Sequence, residues 1–353
     1  VGLQAGVIAN PSSSAGGRGG IEFHGATAFG NNLLLDGVDM SLGEVPGTGN
    51  ATGGNPLINT VSVEAIEEFK ASGNAMSAEY GRSIGGVLNV TTKSGTNQFH
   101  GSLFHFFRND KLDANSFFSN RSGLPRPALR WNQYGGNLGG PVIRNRAFFF
   151  FNYEGAQVRS PSQITGNVAT PALISQLKPA LQKTFNELSP KEFEPTTNPL
   201  VGFHRRNDRR VNDENTYLWR GDIDLAKHRL SLRYSYNNQD IVTPQFMPVL
   251  KQTLPTRFHN AVIQDNWNVT PSVFNELRLG FNRTDLFRYE AGRENYPAWI
   301  TTAGVNVNLS LPGYLHFIPT TYTLADNLSI IRGKHSIKMG GEVRVNMNNR
   351  DQG

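Results

Sequence analysis

The chain has 353 residues, with 34 lysines and arginines against 28 aspartates and glutamates for a net charge of +6. These charges are spread along the chain without the basic stripe of a nucleic-acid footprint, which excludes nucleic acid as a partner, and the absence of cysteine removes disulfides, thiolate nucleophiles and cysteine-ligated metals together. The longest wholly apolar run is the five residues 147–151, against about 20 for a membrane-spanning helix, so helical membrane proteins are excluded, while a mean hydropathy of −0.40 stays compatible with strands that show lipid only one face.

The chain begins at Val1 and stops at Gly353 in mid-pattern, which reads as a segment of a longer protein; it carries no charged-then-apolar export leader of its own. Residues 1–97 are rich in Gly, Asn, Ser and Thr, with short apolar pieces such as Asn32-Leu33-Leu34-Leu35-Asp36-Gly37-Val38 between turn signals, and predict a small mixed α+β domain. Ser62 is placed to cap a short helix running through Glu64, Ile66, Glu67 and Phe69, with acidic residues where the helix dipole favours them. Residues 85–93, β-branched at Val87, Val90, Thr91 and Thr92, predict a strand ended by Ser94-Gly95-Thr96.

Beyond Asn97 the texture changes to aromatic-rich segments of about ten residues with period-two alternation, the length of a tilted membrane strand. Residues 216–224 set Tyr217, Trp219 and Ile223 against Arg220, Asp222 and Asp224, and residues 228–237 set Leu230, Leu232, Tyr234 and Tyr236 against Arg229, Ser231, Arg233 and Ser235. Residues 275–283 set Leu277, Leu279 and Phe281 against Glu276, Arg278 and Asn282; residues 336–345 set Ile337, Met339, Val343 and Val345 against Lys338, Glu342 and Arg344. A soluble sheet with one hidden face gives the same alternation, so the connections have to decide.

Nine strands are expected, at 98–108, 129–140, 146–155, 215–224, 228–237, 258–269, 272–285, 321–331 and 334–345. Their links alternate between long (109–128, 156–214, 239–257, 286–320) and short (141–145, 225–227, 270–271, 332–333). An outer-membrane barrel has short periplasmic turns and long external loops, so this alternation predicts an antiparallel, up-and-down β-barrel, incomplete here because nine strands leave an open edge. Aromatic residues such as Phe104, Phe148, Tyr153, Trp131, Trp219 and Trp267 suit the girdles at the two interfaces. Asp265 shares the parity of Ile263 and Trp267 and calls for a bulge or a place near an interface.

Several stretches carry a family pattern. Val63-Glu64-Ala65-Ile66-Glu67-Glu68-Phe69, Ser77-Ala78-Glu79-Tyr80-Gly81-Arg82, and Gly85 through Asn97 followed by Phe99-His100-Gly101-Ser102 closely resemble the plug-to-barrel junction of TonB-dependent receptors, especially the Oar-like group. Leu35-Asp36-Gly37-Val38 resembles an earlier plug motif; Asn137-Leu138-Gly139-Gly140-Pro141-Val142 and Arg146-Ala147-Phe148-Phe149-Phe150-Phe151-Asn152-Tyr153-Glu154 resemble the second and third barrel strands. The resemblance covers about residues 30–155 and implies that 1–97 is the C-terminal part of a plug domain and 98–353 the N-terminal portion of the barrel. It further implies import of a scarce or bulky solute, whether siderophore, oligosaccharide or peptide, driven by the inner-membrane proton gradient through the TonB complex. The family's TonB-contact segment and the regulatory-like domain of Oar-like members lie upstream of a plug, and neither is seen in this chain.

A plug inside a polar lumen must be held by hydrogen bonds and ion pairs, because the inner wall offers no hydrophobic surface. Glu79 and Arg82 are the expected plug anchors, with Arg82 facing a lumenal carboxylate such as Glu276 or Glu342, or else lying in an exposed turn. Plug contacts are expected to be numerous and individually weak, since the plug has to move.

No catalytic or cofactor motif emerges. Gly16-Gly17-Arg18-Gly19-Gly20 lacks the lysine and hydroxyl of a phosphate loop. Ser175-Gln176-Leu177-Lys178 and Lys93-Ser94-Gly95 stand in the wrong order for a penicillin-binding enzyme. Of eight histidines, only His100 and His105 are close, at a spacing that splits them across a strand, so neither a metal nor a cofactor is expected. The link 156–214 contains a helical piece at 171–188 with Leu173, Leu177, Leu181 and Leu188 on one face. Its basic cluster, His204-Arg205-Arg206 with Arg209-Arg210, suits an anionic solute, the phosphates of lipopolysaccharide, or plain solvent. The reading is a non-enzymatic transporter of the bacterial outer membrane, in contact with outer-membrane lipid and lipopolysaccharide; the alternatives are a structural or adhesive barrel without active transport, and a soluble all-β binding protein.

Overall fold

The computed structural model describes residues 7–10, 20–23, 31–40, 61–73, 79, 81, 86–115, 117–121, 126, 128–248, 250–291 and 313–352. Among the described residues, six strands precede residue 97: β1 (Val7–Asn10), β2 (Gly20–Phe23), β3 (Asn31–Leu35), β4 (Val38–Asp39), β5 (Ile66–Ser72) and β6 (Gly86–Thr92). β1 pairs with β2, and the other four form a sheet in the order β4-β3-β6-β5, with β3 and β6 parallel. Leu33, Leu35, Met40, Leu88 and Val90 form its core.

The helix expected from Ser62 is one 3-10 turn, Val63–Ala65, in which the Ser62 hydroxyl accepts from the Glu64 N–H at 3.2 Å. The following residues belong to β5, with Phe69 opposite Val90. A helix of about six residues is far below the length that holds alone, and pairing with β6 satisfies the same backbone groups.

The rest of the chain is one antiparallel meander. Its strands are β7 (His100–Asn109), β8 (Arg130–Ile143), β9 (Ala147–Ala169), β11 (Val201–Leu225), β12 (His228–Pro244), β13 (Lys251–Thr270), β14 (Val273–Ala291), β15 (Leu315–Arg332) and β16 (His335–Gln352), with a short β10 (Glu194–Pro195) beside β11. Each long strand is hydrogen-bonded to the next, with β7 and β16 at the two margins. The link between β7 and β8 holds a short helix, α1 (Phe117–Arg121).

Three of the expected loops are shorter than read from the sequence, that of 286–320 because β14 runs to Ala291 and β15 starts at Leu315. β9 and β11 stay paired without a break from Ala147↔Ile223 to Ala169↔Val201, so most of 156–214 is a hairpin projecting beyond the wall. The residues 239–257 are likewise largely strand, with β12 ending at Pro244 and β13 starting at Lys251. Outside the lipid both faces of a strand are wet, the apolar–polar alternation fades, and backbone pairing continues without a sequence mark. The helical piece 171–188 is two helices, α2 (Pro171–Ile174) and α3 (Pro179–Leu188), because Pro179 opens the second. They cap the hairpin through a core of Leu173, Ile174, Phe185, Leu188, Met247 and Leu250.

The two faces of the wall follow from register. One transverse row reads Phe151, Trp219, Tyr234, Ala261, Phe281, Tyr322, Val345 from β9 to β16, and the next reads Leu232, Ile263, Leu279, Leu324, Val343. Ile263, Leu279, Leu324 and Val343 are 45–63% exposed, side chains that each gain about 1.5–3 kcal/mol when removed from water. Hydrocarbon is the solvent that suits this face. Above it runs an aromatic ladder, Tyr153, Tyr217, Tyr236 and His259, with ring centroids 5.0, 6.1 and 5.0 Å apart. Below it His228 stacks on Trp267 at 5.2 Å.

From His228 to Tyr236 is eight residues of β12, about 27 Å of strand at about 3.4 Å per residue. A tilt of about 40° projects this to about 21 Å, close to the apolar band of an outer-membrane barrel, about 25 Å tall. Asp265 sits at the lower level and meets His228 Nδ1 at 2.9 Å. The bulge in that strand pair comes later, between Asn268 and Thr270, so the interface accounts for this carboxylate.

Candidate functional site

The inner face is organised around one tight turn. β3 and β4 are joined by Asp36 and Gly37, whose φ angles of +48° and +77° are those of a two-residue hairpin, where an Asp-Gly pair is favoured. The turn docks on a transverse row of the wall made of Arg220, Arg233, Val262, Gly280, Thr323 and Arg344.

Asp36 is the hub. One carboxylate oxygen accepts from Arg233 Nε at 3.0 Å and the Thr92 hydroxyl at 3.0 Å, while the other accepts from the Thr92 N–H at 2.9 Å. Arg233, 1% exposed at its side chain, also donates to the Leu35 carbonyl at 2.9 Å and to Asn260. Arg220 donates to the Thr92 carbonyl at 2.7 Å, and Arg344 Nη1 to Asp39 Oδ2 at 2.6 Å. Arg278, one register step below the row, donates to the Gly37 carbonyl at 3.3 Å. Charge-assisted contacts of this kind are short, directional and individually replaceable by water.

Three of these arginines are held by an acid two residues away on the same strand face: Arg220 by Asp222, Arg278 by Glu276, and Arg344 by Glu342. The period of two places both side chains in the lumen, and the carboxylate holds the guanidinium beside the turn. Shape completes the dock. A Cβ on Gly280 would lie 2.9 and 3.0 Å from the Val38 methyls, so the missing side chain is the seat for Val38. Gly37 faces the Arg278 guanidinium so closely that a Cβ would overlap it.

Gly37→Ala should therefore meet both a clash and a backbone strain of about 1–2 kcal/mol. Faster amide exchange across 31–40 is the expected readout. Adding Arg278→Ala should restore the steric part only; full restoration would show that the positive φ costs nothing.

Further contacts secure the domain above and below the turn. The Ser62 hydroxyl donates to Glu154 Oε2 at 2.6 Å, and Gln133 donates to Glu154 Oε1 at 2.8 Å. At the junction, Asn97 Oδ1 accepts from the Asn145 N–H at 2.7 Å and its Nδ2 donates to Asn145 Oδ1 at 2.6 Å, tying the chain entering β7 to the first short turn.

Of the residues singled out from sequence, Glu79 meets Lys338 Nζ at 3.2 Å, and Arg82 lies outside the described residues. Glu276 pairs with Arg278 and accepts from Gln264 at 3.2 Å, and Glu342 pairs with Arg344 at 2.8 Å. On the turn, wall arginines hold carboxylates of the small domain, the polarity that Glu79 also shows with Lys338. Asp36, Asp39, Arg220, Arg233 and Arg344 were missed as a set. The available signal was the Asp-Gly turn together with Arg–acid pairs two apart on the polar face of several strands. Among the described residues no cluster of three or more His, Cys, Asp or Glu side chains is placed to hold a metal.

Residues 91–353 match the family described as Outer membrane beta barrel domain. The TonB-dependent transporter Oar of Myxococcus xanthus is 28% identical over 138 residues, 38% of this chain and 12% of that protein. The outer membrane transporter YddB from Escherichia coli superposes with a TM-score of 0.64 at 11% identity, over 99% of this chain and 50% of its own. For the ferric yersiniabactin uptake receptor FyuA from Yersinia pestis the TM-score is 0.53 at 10% identity, over 99% and 57%. The chain thus spans about half the length of these solved structures, and its match takes in 12% of the curated relative. These relatives are transporters and receptors, not enzymes. Matched over most of its length, the chain belongs to the outer membrane β-barrel domain family, a constituent of the bacterial outer membrane with the fold of TonB-dependent receptors.

Proposed function

We propose that this chain is the plug end and first part of the barrel of an active importer, in which residues 1–97 block the lumen formed by 98–353 and give way when pulled. The observation that carries the reading is the polar dock of the Asp36-Gly37 turn. A domain meant to stay would bury apolar surface against its neighbour, whereas this one meets the wall through arginines, carboxylates and carbonyls that water can replace. The similarity to Oar of Myxococcus xanthus supports TonB as the source of the pull, through a segment upstream of the plug. The solute is a scarce or bulky one of the siderophore, oligosaccharide or peptide kind. External contacts with lipopolysaccharide belong to the projecting hairpin, where Arg205 and Arg209 are exposed.

The test is a strain lacking the full-length gene, grown on limiting iron, oligosaccharides or peptides with and without a functional TonB system. A growth or uptake defect on one of these, reproduced by loss of TonB, is the expected result. Unchanged uptake of every solute, with altered envelope integrity or adhesion instead, would replace the transport reading by a structural one.

A further inference from the structure

The short-turn end of the wall carries a charge that plug docking does not use. The turn between β8 and β9 contributes Arg144 and Arg146, that between β11 and β12 contributes Lys227 and Arg229, and that between β15 and β16 contributes Arg332 and Lys334. All six are exposed. The acids at this level are each engaged: Asp224 lies 3.6 Å from Arg229, Asp265 meets His228, Glu276 pairs with Arg278, and Asp326 accepts from Asn275 at 2.7 Å. Exposed apolar side chains stand directly beside the cations: Val142 at 68% and Ile143 at 55% precede Arg144, and Ile331 at 60% precedes Arg332. Solvated turns have no use for this pairing, whereas a headgroup region does, since it offers hydrocarbon to the apolar group and phosphate to the cation one residue away.

We propose that the periplasmic rim is a cationic collar that binds anionic phospholipid headgroups, phosphatidylglycerol or cardiolipin, in the inner leaflet of the outer membrane. The placement follows from the wall, because short turns face the periplasm and the cations lie just beyond the lower level of the apolar band marked by Trp267. Phosphate oxygens accept from several guanidinium or ammonium groups at once, each of these turns supplies two, and the β13–β14 turn between the second and third supplies none. The collar would hold the base of the barrel at a fixed depth while the plug is pulled. Its existence depends on the wall alone and not on transport.

The test is native mass spectrometry of the full-length protein released from nanodiscs of phosphatidylethanolamine with cardiolipin, comparing wild type with the fourfold variant Arg144→Gln, Arg146→Gln, Arg332→Gln, Lys334→Gln. None of these four touches the plug dock. Wild type should retain cardiolipin in preference to phosphatidylethanolamine. The variant should lose about tenfold or more of that preference, and raised salt should weaken it in wild type. Equal retention of cardiolipin by variant and wild type would overturn the collar. So would a variant that keeps its lipid preference but no longer sediments with purified peptidoglycan, which would assign the surface to the cell wall. Unaltered heat-modifiable migration of the variant checks that its barrel is intact.

Discussion

Asp36→Ala should undock the small domain more than any other single side-chain change. Its carboxylate partners the Arg233 guanidinium, which is 1% exposed, and removing one partner of a buried pair costs about 3–5 kcal/mol because the remaining charge is left uncompensated. Here the loss falls near the lower figure, since Arg233 keeps the Leu35 carbonyl and Asn260. The same substitution deletes both contacts to Thr92, so the turn loses its side-chain tie to the end of β6 while β3 stays paired with it. About 3 kcal/mol corresponds to roughly a hundredfold in an opening equilibrium. Hydrogen exchange of peptides spanning 31–40 and 86–93 in the full-length protein should accelerate by that order. Combining Asp36→Ala with Arg233→Met removes both charges and should recover most of the protection, as replacing a whole buried pair by apolar groups often does. Exchange as slow in Asp36→Ala as in wild type would mean that this carboxylate does not hold the turn.

The second large effect is on transport. The space a Cβ would occupy on Gly280 lies 2.9 and 3.0 Å from the Val38 methyls, which sets the two Cβ positions at about 3.5 Å, at the short end of the disulfide range of about 3.5–4.5 Å. Val38→Cys with Gly280→Cys should therefore oxidise to a bridge between turn and wall, and the chain has no other cysteine to compete for it. Oxidised cells should lose nearly all uptake of whichever solute the deletion strain fails to take up. A reductant should restore it, and the single Val38→Cys variant should transport normally. Undiminished uptake with the bridge formed would show that solute passes without this turn leaving the wall.

The wall was legible in the sequence for a specific reason. Lipid on one side and water on the other impose a period of two, which Leu230, Leu232, Tyr234 and Tyr236 against Arg229, Ser231, Arg233 and Ser235 display without ambiguity. The pattern vanished where that asymmetry ends, so the projecting arms of β9 and β11, carrying Arg205, Asn207 and Arg209 outside and His204 and Arg206 inside, read as loop. The helix drawn from Ser62 failed because a local cap signal was outweighed by a long-range pairing with β6.

Sequence alone determined that Arg220, Arg233, Arg278 and Arg344 stand on the polar faces of their strands, because parity is a local property of the backbone; the Asp36-Gly37 turn lay inside a piece read as apolar between turn signals, although an Asp-Gly pair favours one. Only the tertiary structure decided that these groups meet. The contact from Arg233 to the Leu35 carbonyl joins residues 198 apart in the chain, and alternation fixes the face of a strand but carries no information on the height at which a separate sheet will rest against it. That height was set by shape and charge together: a wall glycine that leaves room for Val38, and guanidiniums held beside the turn by acids on their own strands.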